Sequence, residues 1–267
     1  MIYQNAIIEW KARMQWQQDV QAEQDLLLCR CLVAIFGDEF LAGHVAFRGG
    51  TALHKLYFHP QPRYSEDIDL VQINAGPIKP ILQRLGEALS FMPNKVIKQK
   101  RYNNTLLFRV GSELPPFPQI RLKIEINCFE HFTEMGLVKM PFAIDNQWFS
   151  GECQLTTYYL EELLGTKLRA LYQRRKGRDL FDLYYALTNA KIDVEKVLAC
   201  YQRYISFTTE QPPSYLQFIN NMGEKMQDPE FLGDSTMILR PGIYYSPQNA
   251  YQLVREALIE HLPGRRK

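Results

Sequence analysis

The chain has few of the features that would assign it at once. Its five cysteines, Cys29, Cys31, Cys128, Cys153 and Cys200, form no C-x-x-C pair and no zinc-site spacing. Their odd number does not suit a disulfide framework, so reduced thiols in a cytoplasmic protein are expected. No run approaches the roughly 18–20 consecutive apolar residues of a membrane span, so no membrane association is expected. Residues 1–20 mix glutamine, tryptophan and charge without an apolar centre, which argues against a signal peptide. Charge of one sign is also missing: 31 Lys and Arg face 29 Asp and Glu, for a net +2. Nucleic-acid binding would therefore need a local basic surface. There is no G-x-x-x-x-G-K-[ST] loop, which excludes a Walker-type phosphate site. No internal repeat or low-complexity linker occurs. What is present is a core-forming composition, 46% hydrophobic and 12% aromatic over 267 residues. That length allows one large domain or two small ones.

The informative stretch runs from Phe47 to Leu70. Val45-Ala46-Phe47 reads as a short buried strand, broken by Gly49-Gly50. Thr51 to Tyr57 then reads as a helix, with Leu53, Leu56 and Tyr57 at helical spacing. Glycines allow a phosphate close to the backbone, and a helix N-terminus offers free N–H groups and a positive dipole end. Thr51 could cap this helix or bind phosphate. A plain strand-turn-helix would use the same residues. Downstream, Ser65-Glu66-Asp67-Ile68-Asp69-Leu70 alternates polar and apolar. On a strand, Asp67 and Asp69 share one face, roughly 7 Å apart, while Ile68 and Leu70 take the other. Two such carboxylates suit Mg²⁺, or they are a solvated strand end. Glu66 points away and is set aside.

A third segment, Arg121 to Asn127, alternates in the same way. Arg121, Lys123, Glu125 and Asn127 lie on one face and Leu122, Ile124 and Ile126 on the other. Beside the acidic strand, it would bring Glu125 to the acids as a third carboxylate; alone, it is a solvent-facing strand with a Lys/Glu pair. Further on, Glu161–Arg175 reads as a helix with Leu163, Leu164, Leu168 and Leu171 on one side, ended by Gly177. A second helix, 178–187, begins with Asp179 at its mouth, where capping alone would explain an acid. Asp182 lies one turn on.

Gly49-Gly50-Thr51, Arg63-x-Ser65-x-Asp67-Ile68-Asp69-Leu70, Lys123-Ile124-Glu125-Ile126, and Lys167 followed by Lys176-Gly177-Arg178-Asp179-Leu180-Phe181-Asp182-Leu183 occur in this order. Together they resemble the AbiEii/AbiGii (MenT-like) nucleotidyltransferase toxins of the polymerase-β-like nucleotidyltransferase superfamily, over about residues 25–190. The resemblance implies an α/β (α+β) fold: a nucleotidyltransferase core with a mixed sheet, then a helical C-terminal region. It implies transfer of NMP from an NTP, with release of pyrophosphate, to an acceptor hydroxyl. Asp67, Asp69 and Glu125 would hold one or two Mg²⁺. Gly49, Gly50, Thr51, Ser65 and Lys167 would bind the nucleotide, and Lys167 and Asp179 would be active-site residues, with Asp182 a further candidate. The family more often has Asp at the place of Glu125. The implied acceptor is a tRNA 3′ end, and the implied partner a cognate antitoxin. Nucleotidylation of a protein Ser, Thr or Tyr, and a non-catalytic RNA- or protein-binding module, stay open as alternatives. A γ-phosphate transfer fits the resemblance less well.

The remaining chain reads as helices over 4–20, 21–36 and 78–91, and strands over 95–102, 105–110 and 120–128, with a hairpin turn at Tyr102-Asn103-Asn104-Thr105. Short strands or loops fill 137–159. Residues 193–262 read as all helical, with Tyr201, Tyr204, Phe207, Tyr215 and Phe218 as core. A boundary near residue 160 would divide the chain into 1–160 and 161–267. The basic run Arg169–Arg178 is a candidate contact for RNA phosphates or an ordinary charged helix. A phosphate on Ser65, beside the acids, would repel a nucleotide. The Arg265-Arg266-Lys267 tail reads as a solvated end.

Overall fold

A computed structural model describes residues 2–263; the basic tail expected at 265–267 lies outside them. Two compact units result. The first takes the described residues through Thr133 together with Leu137–Tyr158; the second takes Glu134–Gly136 and the residues from Tyr159 on.

The first unit is built on a seven-stranded mixed sheet, fed in chain order by helices α1 (Gln4–Met14), α2 (Asp19–Phe36) and α3 (Glu39–His44), strand β1 (Val45–Arg48), α4 (Gly49–Tyr57), β2 (Asp67–Gln72), α5 (Lys79–Ala88), and strands β3 (Val96–Gln99), β4 (Asn103–Gly111), β5 (Gln119–Asn127), β6 (Leu137–Ile144) and β7 (Gly151–Tyr158). The order across the sheet is β3-β4-β5-β2-β1-β7-β6. β2 runs parallel to β5 and β1 parallel to β7, and the other neighbours are antiparallel. One face carries the apolar half of each alternating strand: Ile68, Leu70, Leu106, Phe108, Leu122, Ile124 and Ile126 are all buried. α2 packs against β5, β6 and β7, and so its apolar residues are buried almost all round, Leu26, Leu28, Cys31, Leu32 and Ile35 completely.

Several expectations shift. The helix read over 4–20 stops at Met14, because Gln15 takes a left-handed conformation (φ 58°) and α2 starts only at Asp19. α3 had no periodic signal at six residues. The residues read as loops or short strands after 137 are two eight-residue strands at one sheet edge. The hairpin turn lies earlier than expected. Lys100 N–H bonds Asn103 O, and Asn103 and Asn104 belong to β4, where the buried Asn104 amide reaches Cys128 Sγ at 3.2 Å.

The second unit is helical: α6 (Leu160–Gln173), α7 (Gly177–Asn189), α8 (Val194–Thr208), α9 (Tyr215–Lys225), α10 (Pro229–Gly233) and α11 (Pro247–Ala257), then a 3-10 turn at Ile259–His261. Gly177 does not end a helix; it starts α7. An added Cβ there would lie 1.9 Å from Phe231 O, so only glycine fits. Residues 234–246 are not helical. Tyr201, Tyr204 and Phe218 are core, while Phe207 and Tyr215 are half-buried. The short segment Glu134–Gly136 joins this unit through Glu162. That fully buried carboxylate accepts Glu134 N–H at 2.8 Å, Met135 N–H at 3.0 Å and Tyr204 O–H at 2.8 Å.

Candidate active site

The acids come together by register. In the parallel β2–β5 pair, Asp67 stands beside Lys123 and Asp69 beside Glu125. The alternation of both strands puts all four on the face opposite the buried Ile68, Ile124 and Ile126. Across the other flank, Arg48 at the end of β1 pairs in register with Asp69.

A cation already sits among these carboxylates. Lys123 Nζ is 3.0 Å from Asp67 Oδ2 and 3.6 Å from Glu125 Oε2, with about a third of each side chain exposed. Partial burial pushes the Asp67 carboxyl up to about 6, against the pull of Lys123, and the nearby Asp69 and Glu66 charges push the same way. Burial would lower the Lys123 ammonium, but the acids around it win and hold it above its ordinary value. Lys123 is thus the immediate partner of two expected ligands. The donor chemistry fits Mg²⁺: hard carboxylate oxygens, two on one strand, in a place that gathers positive charge. Among the described residues, no three His, Cys, Asp or Glu side chains are arranged as a ready metal cluster. Asp67 and Glu125 both turn toward Lys123, and Asp69 lies beside them on the same face.

The glycine pair meets the acids directly. Gly49 is the first residue of α4, and its φ of +82° is one that side-chain-bearing residues rarely adopt. A Cβ on it would fall 2.1 Å from Asp69 Oδ2. The Asp69 carboxylate thus lies against the start of α4, and glycine is required by both conformation and space. Thr51 differs from expectation. It is 1% exposed, its hydroxyl donates to the Asp67 carbonyl, and it lies 2.8 Å from Ser65 Oγ. It ties α4 to the acid strand and does not cap the helix, whose N-cap residue is Arg48 with no side-chain cap bond. Ser65 is half-buried beside it.

Two supports were not visible in the motif. Behind α4, Lys55 is buried and donates to Asp25 Oδ1 at 2.6 Å, while Trp10 and Trp16 indole N–H groups reach Asp25 Oδ2 at 2.9 and 3.2 Å. Burial lowers the Lys55 ammonium, yet Asp25 outweighs it and keeps it charged. This hub pins α4 to α1 and α2. On the other side, Arg48 is ion-paired with the buried Glu130. Asn127 Oδ1 sets the Glu130 turn by accepting Phe129 and Glu130 N–H at 3.0 and 2.9 Å. An Arg before Gly-Gly was the available signal; Glu130 gave none.

In the helical unit, Lys167, Asp179 and Asp182 form one buried network. Lys167 Nζ is 3.0 Å from Asp179 Oδ1 and 2.8 Å from Asp182 Oδ2, and Arg174 grips Asp179 through Nε at 2.6 Å and Nη2 at 2.8 Å. Burial alone would raise Asp179, but Lys167 and Arg174 hold it below the ordinary carboxylate value. Asp179 is in the first turn of α7 and does not cap it; Asp234 Oδ2 accepts Arg178 N–H from outside the helix instead. The basic run is largely matched by acids: Arg175 by Glu224 and Asp228, Lys176 and Arg178 by Asp234, while Arg169 lies over the Tyr204 ring.

The mixed sheet with its helices is the fold of solved nucleotidyltransferases. The structure resembles MenT4, a nucleotidyltransferase toxin from Mycobacterium tuberculosis, with a TM-score of 0.61 at 15% identity, covering 99% of this chain and 91% of that one. It also resembles JHP933 from Helicobacter pylori, with a TM-score of 0.53 at 19% identity, covering 89% and 90%. No curated protein matches significantly. The model of the nucleotidyl transferase AbiEii toxin family, of type IV toxin–antitoxin systems, matches residues 30–258. The chain belongs to this AbiEii nucleotidyltransferase toxin family.

Proposed function

We propose that this protein transfers an NMP group from an NTP to the 3′-hydroxyl of an RNA, with a tRNA 3′ end as the acceptor, and releases pyrophosphate. The observation that carries the reading is the pairing of Asp69 with Glu125 and of Asp67 with Lys123 on one open face, with Gly49 against Asp69. In-line attack of the acceptor oxygen on the α-phosphorus forms one P–O bond and breaks the bond to the β-phosphate oxygen. The acceptor proton leaves to a carboxylate of this face or to water. Asp67 and Asp69, with Glu125 as a further candidate, would hold Mg²⁺, which when bound neutralises phosphate charge and lowers the pKa of the attacking hydroxyl. The start of α4 supplies N–H groups and a positive dipole end toward phosphate, and Gly49 keeps the approach clear. Thr51 and Ser65 act from beneath, fixing α4 to β2, so their part in nucleotide binding is positioning. Lys123 balances the acids before a substrate arrives.

Lys167 and Asp179 enter this reading through the resemblance, and their buried network gives them a structural duty as well. A cognate antitoxin and a cytoplasmic place of action complete it.

The test incubates the full chain with Mg²⁺, total tRNA and each α-³²P-labelled NTP, beside the Asp69→Ala variant. Label in tRNA from the wild type, reduced at least about a hundredfold in the variant, is the expected result. Label only in protein would move the acceptor to a protein hydroxyl. No label in any acceptor of a cell extract would overturn the reading.

A further inference from the structure

The open face of the sheet extends beyond the acids. Antiparallel register continues the same face onto β4 and β3: Lys123 is opposite Leu107, Glu125 opposite Thr105, Arg121 opposite Arg109, and Thr105 opposite Lys98. Arg109, Arg121 and Lys98 are exposed. Among the described residues, no acid stands within ion-pair distance of any of the three, in contrast to Arg175, Lys176 and Arg178 of the helical unit. Arg121 precedes Glu125 by four residues, roughly 13 Å along the strand.

At the opposite end of the same strands lies a different surface. Tyr102 and Phe129 are 44% and 36% exposed, with ring centroids 4.4 Å apart, and the Arg101 guanidinium lies 4.9 Å from the Tyr102 ring. The Cys128 N–H bond to Tyr102 O, at 2.9 Å, fixes the two aromatics to the ends of β4 and β5. Exposed rings with a guanidinium over one of them have little to gain from water and much from a flat partner.

Arg109 and Arg121 at one end, Lys98 level with Glu125, and the exposed, tilted rings at the other end match one ligand chemistry: a polyanion with flat bases free to stack. We infer that this face, together with the strand-end surface of Tyr102 and Phe129, is the track for a single-stranded RNA acceptor, its phosphates over Arg109, Arg121 and Lys98 and a base against Tyr102 and Phe129. This deepens the transfer reading, on which it rests, by naming the surface that carries the acceptor. It also moves the RNA contact away from the basic run Arg169–Arg178.

The test measures binding of the full chain to a 5′-fluorescein single-stranded RNA by anisotropy across a salt series. Arg109→Gln/Arg121→Gln should weaken binding at least about tenfold and reduce the salt slope by about 1.4, since each single-strand phosphate contact contributes about 0.7. Tyr102→Leu/Phe129→Leu should weaken binding about tenfold with the slope unchanged. These side chains are exposed, and unchanged thermal melts confirm folding. Unchanged affinity and slope in both pairs would overturn the inference. So would loss confined to Arg175→Gln/Lys176→Gln, or no RNA binding by the wild type. Transfer of α-label to any acceptor is read in parallel: label without the expected RNA-binding changes removes the track and leaves the transfer reading standing.

Discussion

Two clusters in this molecule use the same parts to opposite ends. In the sheet unit, Lys123 lies between Asp67 and Glu125; in the helical unit, Lys167 lies between Asp179 and Asp182. Side-chain exposure separates them. The first trio is 35%, 30% and 32% exposed, the second 8%, 0% and 0%. A lysine between exposed acids is held by weak, screened attraction and can be exchanged for another cation or a substrate group. A lysine between sealed acids cannot leave without stranding charge in the interior. Composition alone therefore does not distinguish an open cluster from a sealed one; the fold does. Arg174 sharpens the point, because its bidentate grip on Asp179 supplies the second positive charge that the two buried acids need.

The comparison can be broken most forcefully at Lys167. Lys167→Met should cost about 3–5 kcal/mol, because it removes the buried positive charge that pairs with both Asp179 and Asp182. Lys123→Met should leave the melting temperature nearly unchanged. Thermal melts of the two variants side by side check both, and equal losses would erase the distinction drawn between the clusters. Activity lost in Lys167→Met at a temperature where the chain is still folded would show that Lys167 also serves catalysis.

A smaller effect is expected at Gly49. Gly49→Ala puts a Cβ against Asp69 and strains a positive φ, which should cost about 1–3 kcal/mol. It should also displace Asp69, so that nucleotidyl transfer falls by more than the stability loss explains. Normal transfer by a folded Gly49→Ala protein would show that the close contact is dispensable.

The smallest effect concerns pH and the helical unit alone. Lys225 is buried and donates to Leu171 and Tyr172 carbonyls at the end of α6. Burial pushes its pKa down to about 8, whereas an unfolded lysine titrates near about 10.4. Between these values the unfolded chain binds more protons, so this group makes stability rise with pH from about 8 to about 10.4. Below about 8 its destabilising share is fully present. Denaturant titrations at pH 7.5 and 9.5 should show the rise in the wild type and a smaller one in Lys225→Met.

The sequence reading reached the acid strand for a physical reason. Polar-apolar alternation has period two, so D-I-D-L specifies a face whatever the strand's neighbours. The same logic made Glu125 and Lys123 face-mates. Gly49-Gly50 was also legible, because few residues tolerate a strand running straight into a helix at positive φ. Thr51 allows a cap or a phosphate contact from sequence, because a hydroxyl after glycines looks the same whether it meets a helix end, a phosphate or, as here, the Asp67 carbonyl behind it. The basic run Arg169–Arg178 looked available because Glu224, Asp228 and Asp234, which pair with it, lie about fifty residues away in the chain. Arg48 with Glu130, 82 residues apart, and Lys55 with Asp25, 30 apart, were hidden for the same kind of reason.

By itself, then, the sequence determined which side chains share a face, which segments are helix or strand over most of the chain, and the family to which the motifs belong. These depend on local periodicity and short spacing. Tertiary structure alone decided that β2 pairs with β5 in parallel, which puts Asp69 beside Glu125 and Asp67 beside Lys123. It also decided which acids stay open and which are sealed. Register and burial are set by the packing of strands and helices distant in the chain, and no local pattern of residue types encodes them.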